Sequence, residues 1–253
     1  MKKNLLCSLA LVSLTAASLL AGLLRADDKD KKDEKQQADW SASVRFPEGE
    51  KPVKLFNGKD LEGWEGNTGE GGTPKYFSVK DGIIVARNEK ENAPKVSNYL
   101  LTKKKYRNFR LVLEGKLAES KMHSGIAIWG KQHNPDGTEP NSYMGHLVMF
   151  PSGWGFHDLF RRKNIYLDKD GLAKKADNGG WNKMEILAIG DRIRLAVNGQ
   201  LVADWRDPMP ELCGEGPLGL QLHSNPGTAQ EVQFRGLILS ENPKDEMATV
   251  EKK

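Results

Sequence analysis

Five side chains suited to acid–base chemistry near neutral pH stand out in the sequence: His123, His133, His146, His157 and His223. The stretch YMGHLVMFPSGWGFHDLF, residues 143–160, places two of them among aromatic residues. Carbohydrate sites need this mixture, because aromatic faces stack on the apolar side of a sugar ring while polar groups bind its hydroxyls. We therefore predict a sugar site in this stretch. The alternative is that Trp154 belongs to the core and that His157 is a hydrogen-bonded turn residue.

Motifs of other enzyme classes are absent from the sequence. It contains no G-x-S-x-G, no P-loop, no H-E-x-x-H and no cysteine pair for zinc. The closely spaced E-x-D-x-x-E carboxylates of jelly-roll glucanases are also missing, although carboxylates from distant strands can still converge. Asp168 and Asp170 have the spacing of a calcium loop, but the later ligands are missing and a plain turn is favoured.

The charge balance argues against a nucleic-acid partner. The 253 residues include 38 basic and 34 acidic side chains. Three of the basic residues lie within residues 1–26, which hold no acidic residue, so 35 basic and 34 acidic residues remain. Such a mixed surface lacks a basic patch for phosphates. Of the two cysteines, Cys7 also lies within residues 1–26. Cys213 is then left without a disulfide partner and is expected to be a small structural residue.

Residues 1–26 have the features of a signal peptide. Lys2 and Lys3 precede an apolar stretch, and Leu24-Arg25-Ala26 is an imperfect cleavage site. An uncleaved anchor is the alternative, since about 20 apolar residues can span a bilayer. In that case the leader would be the contact with the membrane. Residues 27–43 are expected to form a charged flexible linker and residues 241–253 a polar tail. The predicted localisation is secreted or periplasmic.

A hydrophobic period of two dominates residues 44–240 and predicts strands. Examples are FRLVLE at 109–114 and RIRLAV at 192–197. Turns between strands are predicted at Asp81-Gly82, Gly190-Asp191 and Asn198-Gly199. No stretch of ten or more residues carries a helical stripe. The sequence therefore predicts one all-β domain, a sandwich or barrel with antiparallel connections.

Seven blocks taken in order resemble the secreted bacterial 3-keto-disaccharide hydrolases, also described as 3-keto-glucoside lyases and hydratases. The first is LFNGKDLEGWEG at residues 55–66. The later blocks are FSVKDGIIVAR, NYLLTKKKYRNFRLVLEGKL, HSGIAIWG, GGWNKMEI, RIRLAVNGQLVADW and GLQLHSNPGTAQEVQFRGLIL. The resemblance covers Val53 to Leu239. It implies a concanavalin A-like (jelly-roll) β-sandwich of two antiparallel sheets, export and a role in sugar degradation.

The resemblance also implies an elimination mechanism. A sugar oxidised to a ketone at its third carbon has an acidic proton at the second. A base that removes this proton expels the glycosidic oxygen from the first carbon, and water then adds to the glycal, so the net result is hydrolysis. The reaction needs a base, a group that polarises the ketone and an acid for the leaving oxygen. Glu or His suits the first task. Arg, Lys, Tyr or a divalent metal suits the second, and no cofactor is certain.

The family pattern transfers to this sequence in part. Glu114 and Lys116 match a carboxylate–base pair on one face of a strand, with a solvated charge pair as the alternative. Gln221 and His223, in the block LQLH, match as well. The resemblance and the aromatic stretch together give the expected site. Its catalytic residues are His146, His223 and Glu114, and its substrate-binding residues are Lys116, Tyr143, Trp154, His157 and Gln221.

Two departures from the family pattern bear on activity. Trp129 stands where the family commonly has Arg, and residues 143–147 read YMGHL where it commonly has Y-E-V-Q-I. Met144 thus replaces a carboxylate, and the acid–base work on that face falls to His146. Two functions are consistent with this sequence. One is an enzyme that cleaves 3-keto-glycosides, which should gather Glu114, His146 and His223, with His157 as a further candidate, around one pocket. The other is a non-catalytic carbohydrate-binding or cell-surface module, which should show an aromatic strip and scattered titratable groups.

Overall fold

Fifteen strands account for most of the part of the chain that is described. The structure, a computed structural model, describes residues 44–66, 74–119, 122–133, 142–150 and 154–250. The predicted leader (1–26) and linker (27–43) lie outside these residues. The strands are β1 (Val53–Lys54), β2 (Trp64–Glu65), β3 (Phe77–Lys80), β4 (Ile83–Asn88), β5 (Asn98–Tyr106), β6 (Phe109–Glu119), β7 (Ser124–His133), β8 (Ser142–Phe150), β9 (Gly155–Asp158), β10 (Lys163–Leu167), β11 (Asn182–Ile189), β12 (Arg192–Val197), β13 (Gln200–Arg206), β14 (Gly216–Leu222) and β15 (Gln230–Glu241).

Helical structure is confined to short segments. The single α-helix in the described ranges, α1, spans Leu172–Ala176, and Lys90–Asn92 and Pro210–Leu212 form 3₁₀ turns. Within those ranges, no helix has both the length and the apolar character that a membrane crossing requires. The all-β prediction is therefore confirmed.

The first sheet, sheet A, follows the order β13-β12-β11-β6-β15-β4-β3, and β1 pairs with β15. All of its neighbouring strands are antiparallel. The three predicted turns join β3 to β4, β11 to β12 and β12 to β13. At the third turn Asn198 and Gly199 have φ of 47° and 84°. Positive φ at both central residues is the geometry of the tight hairpin turn that an Asn-Gly pair predicts.

The second sheet, sheet B, follows the order β10-β9-β8-β7-β14-β5-β2 and is also antiparallel throughout. Its centre joins strands that are distant in the chain, since Leu220 of β14 lies opposite Ile126 of β7. Local patterns do not encode such a pairing. It decides which side chains meet on the outer face of this sheet.

A bulge interrupts β7 where the pairing with β8 shifts between Ile128 and Lys131. Trp129 has a φ of 55° there, and its indole nitrogen donates a hydrogen bond to the Arg107 carbonyl oxygen at 2.7 Å. A Cβ atom on Gly130 would lie 2.0 Å from the Met144 carbonyl oxygen. The bulge therefore requires glycine at this position, and it turns Trp129 toward the interior.

The main core lies between the two sheets. Five positions expected to be buried, Leu111, Leu113, Leu195, Val197 and Phe234, are at most 1% exposed and belong to this core. A second, smaller apolar cluster packs on the outer face of sheet B and comprises Tyr99, Leu101, Ala127, Tyr143, Leu147, Met149 and Leu159. Alternation therefore places both β5 and β8 between two apolar layers.

The residues after β15 pack on the outer face of sheet A. The Glu185 carboxylate, which is fully buried, accepts hydrogen bonds from the backbone amides of Ala248 and Thr249 and from the Thr249 hydroxyl. The buried Arg110 guanidinium pairs with Glu185 and with Glu50. The segment expected to be a polar tail is thus hydrogen-bonded to the sheet as far as Thr249.

Candidate functional site

Polar side chains gather at one end of the outer face of sheet B. We call the six residues there the histidine site: Tyr99, His123, His157, Arg162, Gln221 and His223. Gln221 of β14 lies opposite Tyr99 of β5 in the register of the sheet. His123 immediately precedes β7 and His223 immediately follows β14. Because these two strands are antiparallel neighbours, the two histidines meet at the same end of the sheet.

The His123 and His223 rings contact each other edge to face, with centroids 4.7 Å apart and planes at 73°. Burial, with smaller contributions from the charges that His223 and His157 can carry, lowers the pKa of His123 to about 4. Burial also lowers the pKa of His223, with smaller contributions from Arg162 and His157. Both rings are therefore neutral near pH 7 and present lone pairs rather than two N–H groups.

The tautomer of His223 follows from its neighbour. Its Nδ1 lies 2.5 Å from the Ser224 carbonyl oxygen. A carbonyl oxygen can only accept, so Nδ1 carries the hydrogen and Nε2 keeps the lone pair. A neutral imidazole fixed in this way is a positioned proton acceptor.

Gln221 offers a hydrogen-bond acceptor without a partner. Its amide nitrogen donates to the Tyr99 hydroxyl at 3.1 Å, which fixes the orientation of the amide. Its Oε1 atom is buried and has no hydrogen-bond partner among the described residues. An unsatisfied buried acceptor costs free energy that a ligand hydroxyl would recover. Burial raises the pKa of Tyr99 to about 12, so its hydroxyl stays protonated.

His157 and Arg162 complete the site from β9 and the turn that follows it. His157 Nδ1 lies 2.9 Å from Asn164 Oδ1 on β10. Arg162 adopts a left-handed backbone conformation with φ of 57°, and its positive charge acts on both Tyr99 and His223. The histidine site thus combines the two neutral imidazoles of His123 and His223, a guanidinium, a protonated phenol and an unpartnered amide oxygen, a set that can bind hydroxyls and move a proton.

His146 lies elsewhere. Val148 and Phe150 belong to the core between the sheets, so alternation along β8 turns His146 inward. It is 1% exposed, and its Nε2 lies 2.5 Å from an Asp207 carboxylate oxygen. Its ring packs against Trp129, with centroids 5.6 Å apart, and against Trp205. The structure therefore does not bring His146 to the face that carries His223.

A cavity of about 370 Å³ opens beside His146. Met144 lines it as well, so the expectation that residues 144 and 146 share a face agrees with the structure. Other lining residues include Lys105, Trp129, Glu211 and Glu215. Lys105 lies near the end of β5, and Trp129 lies at the β7 bulge. Glu211 belongs to the 3₁₀ turn Pro210–Leu212 and Glu215 directly precedes β14, so the cavity lies at the opposite end of sheet B from the histidine site.

Glu114 and Lys116 lie on the outer face of sheet A. Glu114 pairs with Arg235 on β15 through an Nε–Oε2 contact of 2.6 Å. Arg235 stacks over the Trp181 ring at 4.0 Å, and the Lys116 ammonium lies 5.9 Å from the same ring. Glu114 and Lys116 share a face, as expected, but it belongs to the other sheet and does not meet the histidines. Glu114 thus belongs to a cross-strand charge pair, but this pair is formed with Arg235 and is buried rather than solvated.

Tyr143 and Trp154 have structural contacts. The Tyr143 hydroxyl accepts a hydrogen bond from the Gly130 amide at 2.9 Å and donates one to the Pro217 carbonyl oxygen at 2.7 Å, which braces the β7 bulge. Trp154 is 4% exposed in the core, with its ring 6.3 Å from Phe150. Of the eight expected residues, the structure thus brings together His157, Gln221 and His223.

Three residues of the histidine site were not expected from the sequence: Tyr99, His123 and Arg162. His123 begins the block HSGIAIWG, and Gln221 and His223 share the block that begins GLQLH, so local signals for these residues were available. What was missing was the pairing of β7 with β14, which places His123 beside His223. Arg162 joins them only through the turn between β9 and β10.

A family model for 3-keto-alpha-glucoside-1,2-lyase-like domains matches residues 51–239. This range includes every residue of the histidine site. Among curated protein sequences, none matches the chain.

Solved structures with a similar fold confirm the jelly-roll sandwich. A glycosyl hydrolase-like protein from Parabacteroides distasonis ATCC 8503 is 21% identical, with a TM-score of 0.53 over 75% of this chain and 93% of that one. A Bacillus subtilis protein with a galectin-like fold is 10% identical, with a TM-score of 0.52 over 76% and 94%. A lichenase derived from a mouse hindgut metagenome is 15% identical, with a TM-score of 0.50 over 77% and 99%. At these identities the likeness establishes the fold alone.

Proposed function

Because the chain belongs to the family of 3-keto-alpha-glucoside-1,2-lyase-like domains, we propose that it cleaves 3-keto-glycosides at the histidine site. The observation that carries this proposal is the fixed tautomer of His223. Its Nδ1–H is bound to the Ser224 carbonyl oxygen, and its Nε2 lone pair is left to accept a proton. The partner is then an oxidised saccharide, consistent with a carbohydrate-active protein.

The reaction assigns one task to each group. Nε2 of His223 removes the proton from the second carbon, and the positive charge of Arg162 stabilises the oxygen of the enolate that forms. The bond between the first carbon and the glycosidic oxygen breaks, and the proton on His223 returns to the leaving oxygen. Gln221 Oε1 accepts a hydrogen bond from a sugar hydroxyl, and Tyr99 holds the amide in place. Water then adds to the glycal.

Turnover of a 3-keto-glucoside tests the proposal. The variant His223→Ala should lose at least about 100-fold in kcat while its thermal midpoint stays within a few degrees of the parent, because general acid–base groups contribute about 10²–10⁴. His133→Gln is the matched control, since His133 lies at the far end of β7 and should keep full turnover. The acid limb of kcat/KM should lie below pH 6.5, because the pKa of His223 is lowered. Full activity in a folded His223→Ala protein would overturn the assignment.

A non-catalytic carbohydrate-binding module is the second candidate, and two observations favour it. Glu114 and His146 do not meet His223 at one pocket, which is the scattered arrangement expected of a binding module. The six residues of the histidine site include no carboxylate, and the neighbouring outer-face positions on β8 are Leu147 and Met149. Calorimetry of saccharide binding separates the two functions. Binding that is weakened by Gln221→Ala, in a protein that shows no turnover of any 3-keto-glycoside, would favour the module.

Export is the other part of the proposal, and it rests on the sequence of residues 1–26. We expect the mature protein to begin at Asp27, after cleavage at Leu24-Arg25-Ala26. N-terminal sequencing of the protein recovered from the periplasm or the medium tests this. A mature chain that begins at Met1 and remains with the membrane fraction would instead identify the leader as an anchor.

A further inference from the structure

A buried group of potential metal ligands lies at the other end of the sandwich from the histidine site. One ring nitrogen of His146, a carboxylate oxygen of Asp207 and the sulfur of Cys213 all lie within 4.8 Å of one another. His146, Asp207 and Cys213 are 1%, 3% and 1% exposed. None of the three belongs to the histidine site. We propose that they form a binding site for a divalent transition metal of the zinc class.

The donor set points to this class of ion. Imidazole nitrogen and thiolate sulfur are the ligands that Zn²⁺ and Co²⁺ prefer, whereas Mg²⁺ and Ca²⁺ require oxygen ligands. The carboxylate and the thiolate together carry two negative charges, so a divalent ion gives a neutral cluster. Neutrality matters here because an uncompensated charge in the interior is costly.

An unpartnered polar atom supplies a second, independent observation. His146 Nε2 donates to Asp207, since a carboxylate can only accept. His146 Nδ1 is buried and has no hydrogen-bond partner among the described residues. The ring therefore uses only one of its two nitrogens in the interior. Because no described residue bonds to Nδ1, this nitrogen can take the ring proton when a metal ion coordinates Nε2.

The loop that carries the other two ligands is held in place by its own hydrogen bonds. The second carboxylate oxygen of Asp207 accepts the Met209 amide at 2.9 Å, and the Cys213 amide donates to the Pro210 carbonyl oxygen at 3.0 Å. Outer contacts of this kind orient ligands in metal sites. Two ligands on a tetrahedral Zn²⁺ stand roughly 3.3 Å apart, so the His146–Asp207 contact must widen when the ion enters.

Three ligands leave one position on a tetrahedral ion open. His146 lines the cavity of about 370 Å³, as do Leu212 and Gly214 on either side of Cys213. The open position is therefore accessible from that cavity, which is the arrangement of metal sites that bind water or a substrate oxygen. On binding, the Cys213 thiol loses its proton to solvent, and the imidazole proton moves from Nε2 to Nδ1 so that Nε2 can coordinate.

Titration of the full chain with Co²⁺ tests the site. We expect one ion per chain, a thiolate-to-cobalt charge-transfer band in the near ultraviolet, and displacement of Co²⁺ by Zn²⁺ but not by Mg²⁺. Cys213→Ser should abolish the band. Cys7 lies in the leader that we expect to be removed, so the matched control is His133→Gln, which leaves His146, Asp207 and Cys213 unchanged. His146→Gln should weaken the affinity at least about 10- to 100-fold.

Two results would overturn the proposal. One is the absence of the charge-transfer band in the parent protein at stoichiometric Co²⁺. The other is an unchanged band in Cys213→Ser. If that variant fails to fold, X-ray absorption of the cobalt-loaded parent protein decides instead. A single sulfur neighbour among nitrogen and oxygen ligands is expected, and a shell without sulfur would exclude the site.

Discussion

His223 and His146 lie on the same sheet, and their surroundings differ in almost every respect. His223 follows β14 on the outer face, is partly exposed and donates to a backbone carbonyl oxygen. His146 lies inside β8, is buried between two tryptophans and is paired with a carboxylate. The difference shows that the parity of a residue along its strand decides the surroundings of a histidine here. An outward position leaves the His223 ring partly exposed, and an inward one places His146 in a buried pair.

The largest expected effect comes from breaking the buried pair. Asp207→Ala removes the carboxylate partner of His146 and should lower the free energy of unfolding by about 3–5 kcal/mol, as for other buried pairs that lose one member. Asp204→Ala is the control, since Asp204 forms an exposed pair with Arg192 and should cost about 0–1 kcal/mol. Chemical denaturation of both variants measures the difference. Equal losses would mean that burial does not distinguish the two pairs.

Replacing each histidine by alanine should separate catalysis from stability. His146→Ala should lower the free energy of unfolding by about 3–5 kcal/mol and leave turnover within a few-fold, because it removes a core ring and leaves the buried Asp207 carboxylate unpaired. His223→Ala should do the reverse, with the 100-fold loss of turnover already described. Paired measurements of thermal midpoint and kcat test this. A stable His146→Ala protein without turnover would restore the catalytic role predicted for His146.

The pH dependence of stability sharpens the contrast. The folded pKa of His123 is about 4, below the ordinary value of 6.5, so the unfolded chain binds its proton more readily. The His123 contribution therefore leaves stability unaffected above pH 6.5 and lowers it progressively as the pH falls from 6.5 to about 4. After allowance for partial exposure, the loss is on the order of 1–2 kcal/mol. Urea unfolding at several pH values should show a flatter profile for His123→Gln than for the parent.

The smallest effect concerns the unpartnered amide oxygen of Gln221. Gln221→Ala removes one hydrogen bond to a sugar hydroxyl and should weaken saccharide binding about three- to tenfold, equivalent to about 0.5–1.5 kcal/mol. Its effect on the thermal midpoint should be small, because Oε1 has no protein partner to lose among the described residues. Titration calorimetry provides the measurement. An unchanged affinity would place the sugar away from Gln221.

Local signals in the sequence were sufficient for the all-β class, whereas the choice of a sandwich over a barrel came from the family resemblance. Alternation along β6 and β12 and the Asn198-Gly199 turn depend on neighbours within a few residues. The site was only partly predictable, because its residues come from strands that pair across long stretches of chain. Alternation along a strand also shows only which residues share a face, and not which of the two faces is buried. It related Met144 to His146 correctly, but it could not say that this face turns inward.

Sheet A has a consequence for how the protein is made. Its last strand, β15, lies in the middle of the sheet, between β6 and β4. Until a ribosome has synthesised residues 230–241, both of these earlier strands keep unpaired edges, and sheet A cannot close. A nascent chain that stalls before this point presents two open edges to its neighbours, which is a hazard for aggregation. Sheet A can therefore be completed only at a late stage of synthesis, after its central strand β15 has been made.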